Sequence, residues 1–249
     1  MICATALDGL PEVRAGDDLS ALLHTALSGD GAGPQDVLVL AHKVVSKAEG
    51  RTRRLSEVTP GERARELAAR LGKDPRHVQV VLDESAEIRR AEHGVLITVT
   101  HHGFVCANAG VDASNAPDDD TLIMLPADPD RSAREIRAGL RALRGTAPAV
   151  LITDSFGRAW RHGQVDVAIG AAGLAALEDW RGRTDSRGRE LRATLIAAAD
   201  ELAAAADLAR AKDAMQPAVL ITGAGRHVTV ADGPGVAPLL RDTGEDLFR

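Results

Sequence analysis

Short runs of aliphatic and β-branched residues at 37–41, 78–82, 95–100, 121–125, 149–153 and 218–222 are separated by stretches whose apolar positions recur at helical spacing. Runs of this length suit single strands, so the chain reads as a mixture of strands and helices. None approaches the roughly 20 apolar residues that a membrane-spanning helix needs. Two helix starts carry capping boxes, in which a hydroxyl accepts the third amide and a Glu reaches back: Thr59 with Glu62, where Pro60 takes the first helical position, and Ser132 with Glu135. The helices they open are predicted to stop at Gly72 and Gly145, and the second lines Ala133, Ile136, Leu140 and Leu143 along one side. A long Ala-rich helix is predicted over 190–212. Strands and helices do not alternate as a regular βαβ series, which argues against a doubly wound sheet. A boundary near residue 80, with the chain returning after about 190, predicts a discontinuous first domain of residues 1–80 and 190–249 and a second of residues 81–189.

Composition narrows the function. The formal net charge is -6 with both signs interspersed, and the aromatic residues are three Phe and two Trp with no Tyr. A broad positive field for a nucleic-acid backbone and aromatic platforms for its bases are both missing. Cys3 and Cys106 have no metal-ligand spacing and are too few for a disulfide framework, which points to a reducing compartment. Asp8 and Glu12 stand where a secretory signal would need a basic start and an apolar stretch, so the expected location is the cytoplasm.

The chemistry concentrates in a few loops. Gly-x-x-x-x-Gly-Lys-Ser/Thr does not occur, and Gly223-Ala224-Gly225 lacks the third glycine of a dinucleotide fingerprint, so neither a P-loop nor a Rossmann site is expected. Residues 107–115, Ala-Asn-Ala-Gly-Val-Asp-Ala-Ser-Asn, combine small residues that admit close approach with the oxygens of Asp112 and Asn115. An Asx-rich turn explains the same residues without a ligand. Asp154 and Ser155 follow the run 149–153 and offer a carboxylate and a hydroxyl to a hard cation, with Arg158 and Arg161 nearby to offset phosphate charge. A helix cap and two solvated arginines are the plain alternative. Two separated Asp-bearing loops suit a two-metal phosphoryl-transfer site. Lys43 and Lys47 share a face if their segment is helical and face either a phosphate or water. His101 and His102 are adjacent, and on a strand they point to opposite faces, one buried and one exposed or hydrogen-bonded.

Taken in order along the chain, several segments resemble the coenzyme F420 gamma-glutamyl ligase family. They are Gly9 to Val13 (GLPEV), Val44 to Arg51 (VVSKAEGR), Asn108 to Asn115, Thr153 to Gly173 (TDSFGRAWRHGQVDVAIGAAG), Ala199 to Asp207 (ADELAAAAD) and Glu245 to Phe248 (EDLF). The resemblance implies an α+β, two-domain fold without a P-loop or Rossmann domain, assembled as a homodimer. It implies a ligase that uses GTP and a divalent metal, Mg or Mn and two ions per site, to attach L-glutamate to a deazaflavin precursor through an acyl phosphate. By matched motif, Leu10, Pro11, Glu12, Val13, Lys47 and Asn115 meet GTP, with His42 at a position also expected at the nucleotide; Asp112 and Asp154 hold one metal, and Ser155 holds the second. Lys47, Asp112 and Asp154 carry the catalytic role. The chain departs from the family at His42, where a serine is usual, at Ala211, usually glycine, and at Ile221-Thr222, usually Val-Arg. Those departures favour one alternative, a related amide ligase acting on another carboxylate; a second, a non-catalytic nucleotide-binding relative, is opposed by the retained Asp112, Asp154 and Ser155. No reductase-like domain follows the ligase segments as in some actinobacterial relatives, so the chain is expected to act alone or with a separate reductase partner.

Overall fold

In the computed structural model, which describes residues 1–27, 31–211 and 213–246, the chain opens with strand β1 (Cys3–Ala6) and helix α1 (Leu19–Ala26). The Asp18 carboxylate caps α1 by accepting from Ala21 N at 3.1 Å. Strand β2 (Val37–Ala41) runs directly into the short helix α2 (His42–Ala48), and β3 (Thr52–Arg54) follows. Helices α3 (Glu62–Leu71) and α4 (Pro75–Asp83) precede β4 (Ser85–Glu92), β5 (Val95–Thr100), β6 (Val105–Ala107) and β7 (Thr121–Ile123). Helix α5 (Pro129–Arg144) leads to the long hairpin β8 (Ala149–Arg158) and β9 (Arg161–Ala172). The short pair β10 (Glu178–Asp179) and β11 (Leu195–Ile196), helix α6 (Ala198–Ala209) and strand β12 (Ala218–Thr222) complete the regular elements. The architecture is α+β, and no helix among the described residues is long and apolar enough to cross a membrane.

Five strands form one sheet in the order β1-β12-β2-β8-β9. Only β2 and β8 run parallel within it, and the chain between them builds a separate set of elements. The sequences VLVLA and AVLIT of that central pair are apolar at nearly every position because both faces of the strands are covered. Helices α5 and α6 both pack against β9, and α1 packs on α5. A second, smaller hydrophobic cluster lies between residues 58 and 124 and gathers Ala64, Ala68, Val78, Val81, Leu96, Val111 and Leu122. It sits among α3, α4 and the three-stranded antiparallel sheet β4-β5-β6.

Several local expectations are corrected. Residues 78–82 are helical, not a strand: Asp74 caps α4 through Arg76 N at 2.8 Å, Pro75 takes the first position, and Val78 and Val81 are buried one turn apart. The N-cap of α3 is Gly61 rather than Thr59 of a Thr59–Glu62 box, and the Gly61 amide donates to the Gln79 side chain of α4 at 2.8 Å. Helix α5 is capped by Asp128, with Pro129 at its start. Ser132 lies inside it, donating to Asp128 O and to the Glu49 carboxylate. Gly72 and Gly145 end their helices in the left-handed conformation, as predicted, whereas Leu143 is exposed. Strand β8 continues five residues beyond the predicted Thr153, because β9 pairs along its extension. Helix α6 spans 198–209 instead of 190–212, since Leu191 folds back to Arg183 in a small hairpin; Lys212 lies outside the described residues, as do Leu247 and Phe248 of the final motif. His101 and His102 occupy a turn after β5, not the strand, and neither is buried. Their Nε2 atoms lie 3.0 Å from Asp83 O and 3.0 Å from Pro126 O.

Candidate functional site

The parallel register of the central strands builds the site. Ala41 pairs with Thr153, so the next residue of each strand, His42 and Asp154, emerges at the same carboxyl edge of the sheet. A cavity of about 980 Å³ opens there, at the upper end of the range for small-ligand sites. Leu10, Pro11, Glu12, Val13, His42, Lys47, Asp112, Asn115, Asp154 and Ser155 all line it. Arg158 and Arg161 do not: they stand exposed at the tip of the β8–β9 hairpin, where Arg158 bonds His162 O at 2.5 Å.

Helix α2 carries both lysines to the cavity and ties two loops to it. Lys43 Nζ contacts Asp112 Oδ2 and Ser114 Oγ, each at 2.5 Å, and Lys47 Nζ contacts Glu12 Oε1 at 2.5 Å. The reading of these lysines as a solvated basic face is therefore corrected, since Lys47 is buried and Lys43 half-buried against partners distant in sequence. Burial pushes the Asp112 carboxyl up, but the hydrogen bonds from Lys43 and Ser114 outweigh it and hold the group at about 2. Asp112 is an anion at neutral pH that already has one cation beside it.

The backbone before Asp112 is unusual. Asn108, Ala109 and Gly110 all have positive φ, at 52°, 53° and 71°, and Val111 N closes the turn on Asn108 O. Gly110 is required twice over, by its φ and because a Cβ there would lie 2.7 Å from the Leu125 side chain. Beyond the turn, Asp112 exchanges two backbone hydrogen bonds with Ile123, at 3.0 and 2.9 Å.

On the sheet side, the Asp154 carboxylate accepts from Ser155 N at 2.8 Å. The Ser155 hydroxyl donates to Asp166 Oδ1 at 2.6 Å and the Thr153 hydroxyl donates to Asp166 Oδ2 at 2.8 Å. Arg210, just past the end of α6, pairs with the same Asp166 carboxylate and also reaches Thr153 Oγ1 at 3.0 Å. Asp166 is 1% exposed and Arg210 8%, so this is a buried ion pair in the cavity wall. Neither residue stood out in the sequence. The available signal was phase: Asp166 falls on the inward face of β9 with Ala168, and a carboxylate there has to be paired.

Among the described residues, no three His, Cys, Asp or Glu side chains cluster closely enough to hold a metal ion alone. The oxygens of Asp112, Asp154 and Ser155 nevertheless fit a hard divalent cation that takes its remaining ligands from phosphates and water, the usual arrangement for Mg²⁺. His42 Nε2 is buried with no hydrogen bond among the described residues and lies 3.3 Å from Asp154 Oδ1. Nearby Cys106 offers no reactive thiolate, because burial, with help from the Asp154 charge, pushes its thiol up to about 12.

Comparison with known proteins agrees with the ordered motifs. The family model described as F420-0:Gamma-glutamyl ligase matches residues 9–223. The chain is 45% identical over 251 residues to the coenzyme F420:L-glutamate ligase of Methanothermobacter thermautotrophicus, covering 100% of this chain and 99% of that one. It is 47% identical over 240 residues to the protein of that name from Methanopyrus kandleri, covering 96% and 94%. With the Archaeoglobus fulgidus protein of the same name the identity is 42% over 245 residues, covering 98% and 94%.

Proposed function

The chain belongs to the F420-0:gamma-glutamyl ligase family, a ligase forming amide bonds, and we propose that it uses GTP and a divalent metal to join L-glutamate to the carboxylate of the coenzyme F420 precursor. The observation that carries this reading is the convergence of segments 10–13 and 112–115, residues 153–155 of β8 and the lysines of α2 on a single cavity.

The chemistry explains why such a wall is needed. A carboxylate does not acylate an amine, because its leaving group would be oxide. In the proposed sequence an acceptor carboxylate oxygen bonds to the γ-phosphorus of GTP as the bond to the β-phosphate oxygen breaks, giving an acyl phosphate and GDP. The glutamate amine, having lost a proton, then bonds the acyl carbon and inorganic phosphate leaves. Asp112 and Asp154 would hold one Mg or Mn ion and Ser155 a second. A bound divalent ion supplies neutralisation of the charge on the transferring phosphoryl oxygens. Lys47 and Lys43 add fixed positive charge on the same side, and each must leave a carboxylate partner to meet a phosphate. Leu10 to Val13, His42 and Asn115 shape the nucleotide's part of the cavity. Asp166, neutralised by Arg210, accepts the Ser155 proton in a hydrogen bond and so turns the Ser155 oxygen lone pairs toward the cavity. In the same reading the enzyme works in the cytoplasm as a homodimer, and light scattering at micromolar concentration that returned a monomer mass would remove the dimer.

The test is incubation of the protein with the deazaflavin precursor, L-glutamate, GTP and Mg or Mn, followed by mass analysis. A gain of one or more glutamyl units, matched by GDP and phosphate, is the expected result. Ala211 lines the cavity at one of the departures from the family, which favours a different acceptor carboxylate as the second reading. GTP consumed with another carboxylate and not with this precursor would select it. Nucleotide bound without turnover on any acceptor would leave a non-catalytic binder.

A further inference from the structure

We infer that Arg14 binds the side-chain carboxylate of the incoming L-glutamate and so sets which amino acid the site accepts. The inference rests on the ligase reading and deepens it with a specificity-determining residue outside the nucleotide and metal roles.

The cations of the cavity are unequally partnered. Among the described residues, Arg14, Lys43, Lys47 and Arg210 are the Lys and Arg side chains that line it. Lys43 already holds Asp112, Lys47 holds Glu12 and Arg210 holds Asp166. The Arg14 guanidinium has neither a hydrogen bond nor an ion pair among the described residues, because the acids near it in sequence are engaged elsewhere. Asp17 accepts from the Arg14 backbone amide at 2.8 Å, and Asp17 N closes the same turn on Arg14 O at 3.1 Å. Glu12 faces Lys47. Within the turn Gly16, with φ of 87°, donates its amide to Ala48 O at 2.9 Å. The backbone under Arg14 is thus anchored to the end of α2 while the side chain stands exposed at the cavity. A guanidinium on a fixed backbone, with its donors unmatched by protein, is suited to a planar oxyanion, and its fork fits a carboxylate through two parallel hydrogen bonds.

Helix α2 supplies the spacing that selects the carboxylate. Lys43 marks the Asp112 end of the cavity, where the acyl phosphate is proposed to form and the glutamate amine must arrive. Lys47, beside Glu12, lies one helical turn further on, about 6 Å along the axis at 1.5 Å per residue. Arg14 falls between Glu12 at Lys47 and Gly16 at Ala48, so it reaches toward the reacting end from that distance. In an extended glutamate the side-chain carboxyl carbon is roughly 5 Å from the amine nitrogen, at bonds of about 1.5 Å. The α-carboxylate sits on the carbon that bears the amine and stays with it at the Lys43 end. The carboxylate that comes to Arg14 is therefore the one that distinguishes glutamate from other amino acids. With the two lysines drawn to phosphates, Arg14 supplies the cation that the amino acid needs.

The experiment is steady-state glutamyl transfer to the deazaflavin precursor by the full chain and by Arg14→Met, with L-glutamate, L-glutamine and GTP varied in turn. The KM for L-glutamate should rise about 10- to 100-fold, the scale of a hydrogen bond to a charged group. The kcat at saturating glutamate and the KM for GTP should change by less than about threefold, the pattern of an interaction made equally before and during reaction. The preference for L-glutamate over L-glutamine, as a ratio of kcat/KM, should narrow by the same factor as the KM rise. Arg14→Lys should recover part of the loss, since it keeps the charge without the fork. Should Arg14→Met fail to fold, Arg14→Gln removes the charge and keeps a polar end. An unchanged KM for glutamate overturns the inference, and so does a rise that leaves the glutamate-to-glutamine preference intact, which would give Arg14 to the α-carboxylate. A rise confined to the KM for GTP overturns it as well, by giving Arg14 to the nucleotide phosphates. In each of these cases the ligase reading stands, whereas no glutamyl transfer by the wild type to any acceptor overturns both.

Discussion

Two of the carboxylates that line the cavity, Asp154 and Asp112, are positioned by different means. Asp154 stands on β8, in the central parallel pair of the large sheet, and its position follows from backbone register and from the buried Thr153–Asp166–Arg210 network beside it. Asp112 stands in a loop beside the smaller hydrophobic cluster, held by a left-handed turn, one β-bridge and an ion pair to Lys43. The Asp112 side chain is 45% exposed against 16% for Asp154. A carboxylate fixed by a sheet keeps its place whatever occupies the cavity. One fixed by a lysine that also faces the cavity does not, because any ligand that draws the lysine away releases it.

The largest effect expected is on the sheet side. Arg210→Ala removes the guanidinium that pairs with the buried Asp166 carboxylate, and the urea midpoint should report a loss of about 3–5 kcal/mol. Arg210→Met combined with Asp166→Leu should recover most of it. A loss below about 1 kcal/mol for the single variant would mean that Asp166 does not depend on Arg210, and the contrast between the two regions would weaken.

Next in size is the chemistry. Asp154→Asn and Asp112→Asn should each lower glutamyl transfer by at least about 100-fold with the fold intact, the scale on which a fixed electrostatic contact in a reacting site matters. Near-normal activity of either variant at saturating Mg would remove that residue from the metal assignment, and failure to fold would make that residue structural.

Gly110→Ala separates the two modes of positioning. The added Cβ would meet the Leu125 side chain at 2.7 Å in a backbone with φ of 71°, and about 1–3 kcal/mol of stability should be lost. If the turn serves to place Asp112, turnover of the surviving folded protein should fall as well, without any change at Asp154. Unchanged turnover would show that Lys43 and the Ile123 bridge place Asp112 by themselves.

The smallest effect is on acid stability. The Asp112 carboxyl is held at about 2 in the folded protein, below its ordinary value near 4, so its contribution is fully present above about pH 4 and is lost as pH falls through about 2. Lys43→Met removes the hydrogen-bonding cation, and the difference between its urea midpoint and that of the wild type should shrink over that window. A difference that stayed constant from pH 5 to 2 would dissolve the link between the two residues.

Much of the local structure was legible in the sequence. The strands at 37–41, 95–100 and 218–222 coincide with the predicted runs, and Gly72 and Gly145 end their helices as glycines in such positions do. Where the reading failed, a competing local signal had been passed over: Asp74-Pro75 opens a helix, and its alternating valines imitate a strand. Candidate site residues were legible as polar loops after apolar runs, and the ordered motifs identified the family. Asp166 and Arg210 were not, because a buried acid in a strand reads as an ordinary polar position until its partner is in view.

By itself, then, the sequence determined which backbone each segment prefers, which loops carry oxygen and amine groups, and which family the chain belongs to. Local conformational preference is written in residues a few positions apart, through capping, glycine φ and the periodicity of apolar side chains. Only the tertiary structure decided that β2 and β8 run side by side in parallel with His42 at Asp154, and that Lys43 spans 69 residues of sequence to reach Asp112. Those distances depend on sheet register and on how two hydrophobic clusters share one chain. The burial that drives them is non-directional, so it specifies that apolar faces meet without stating in the local sequence which partner each will meet.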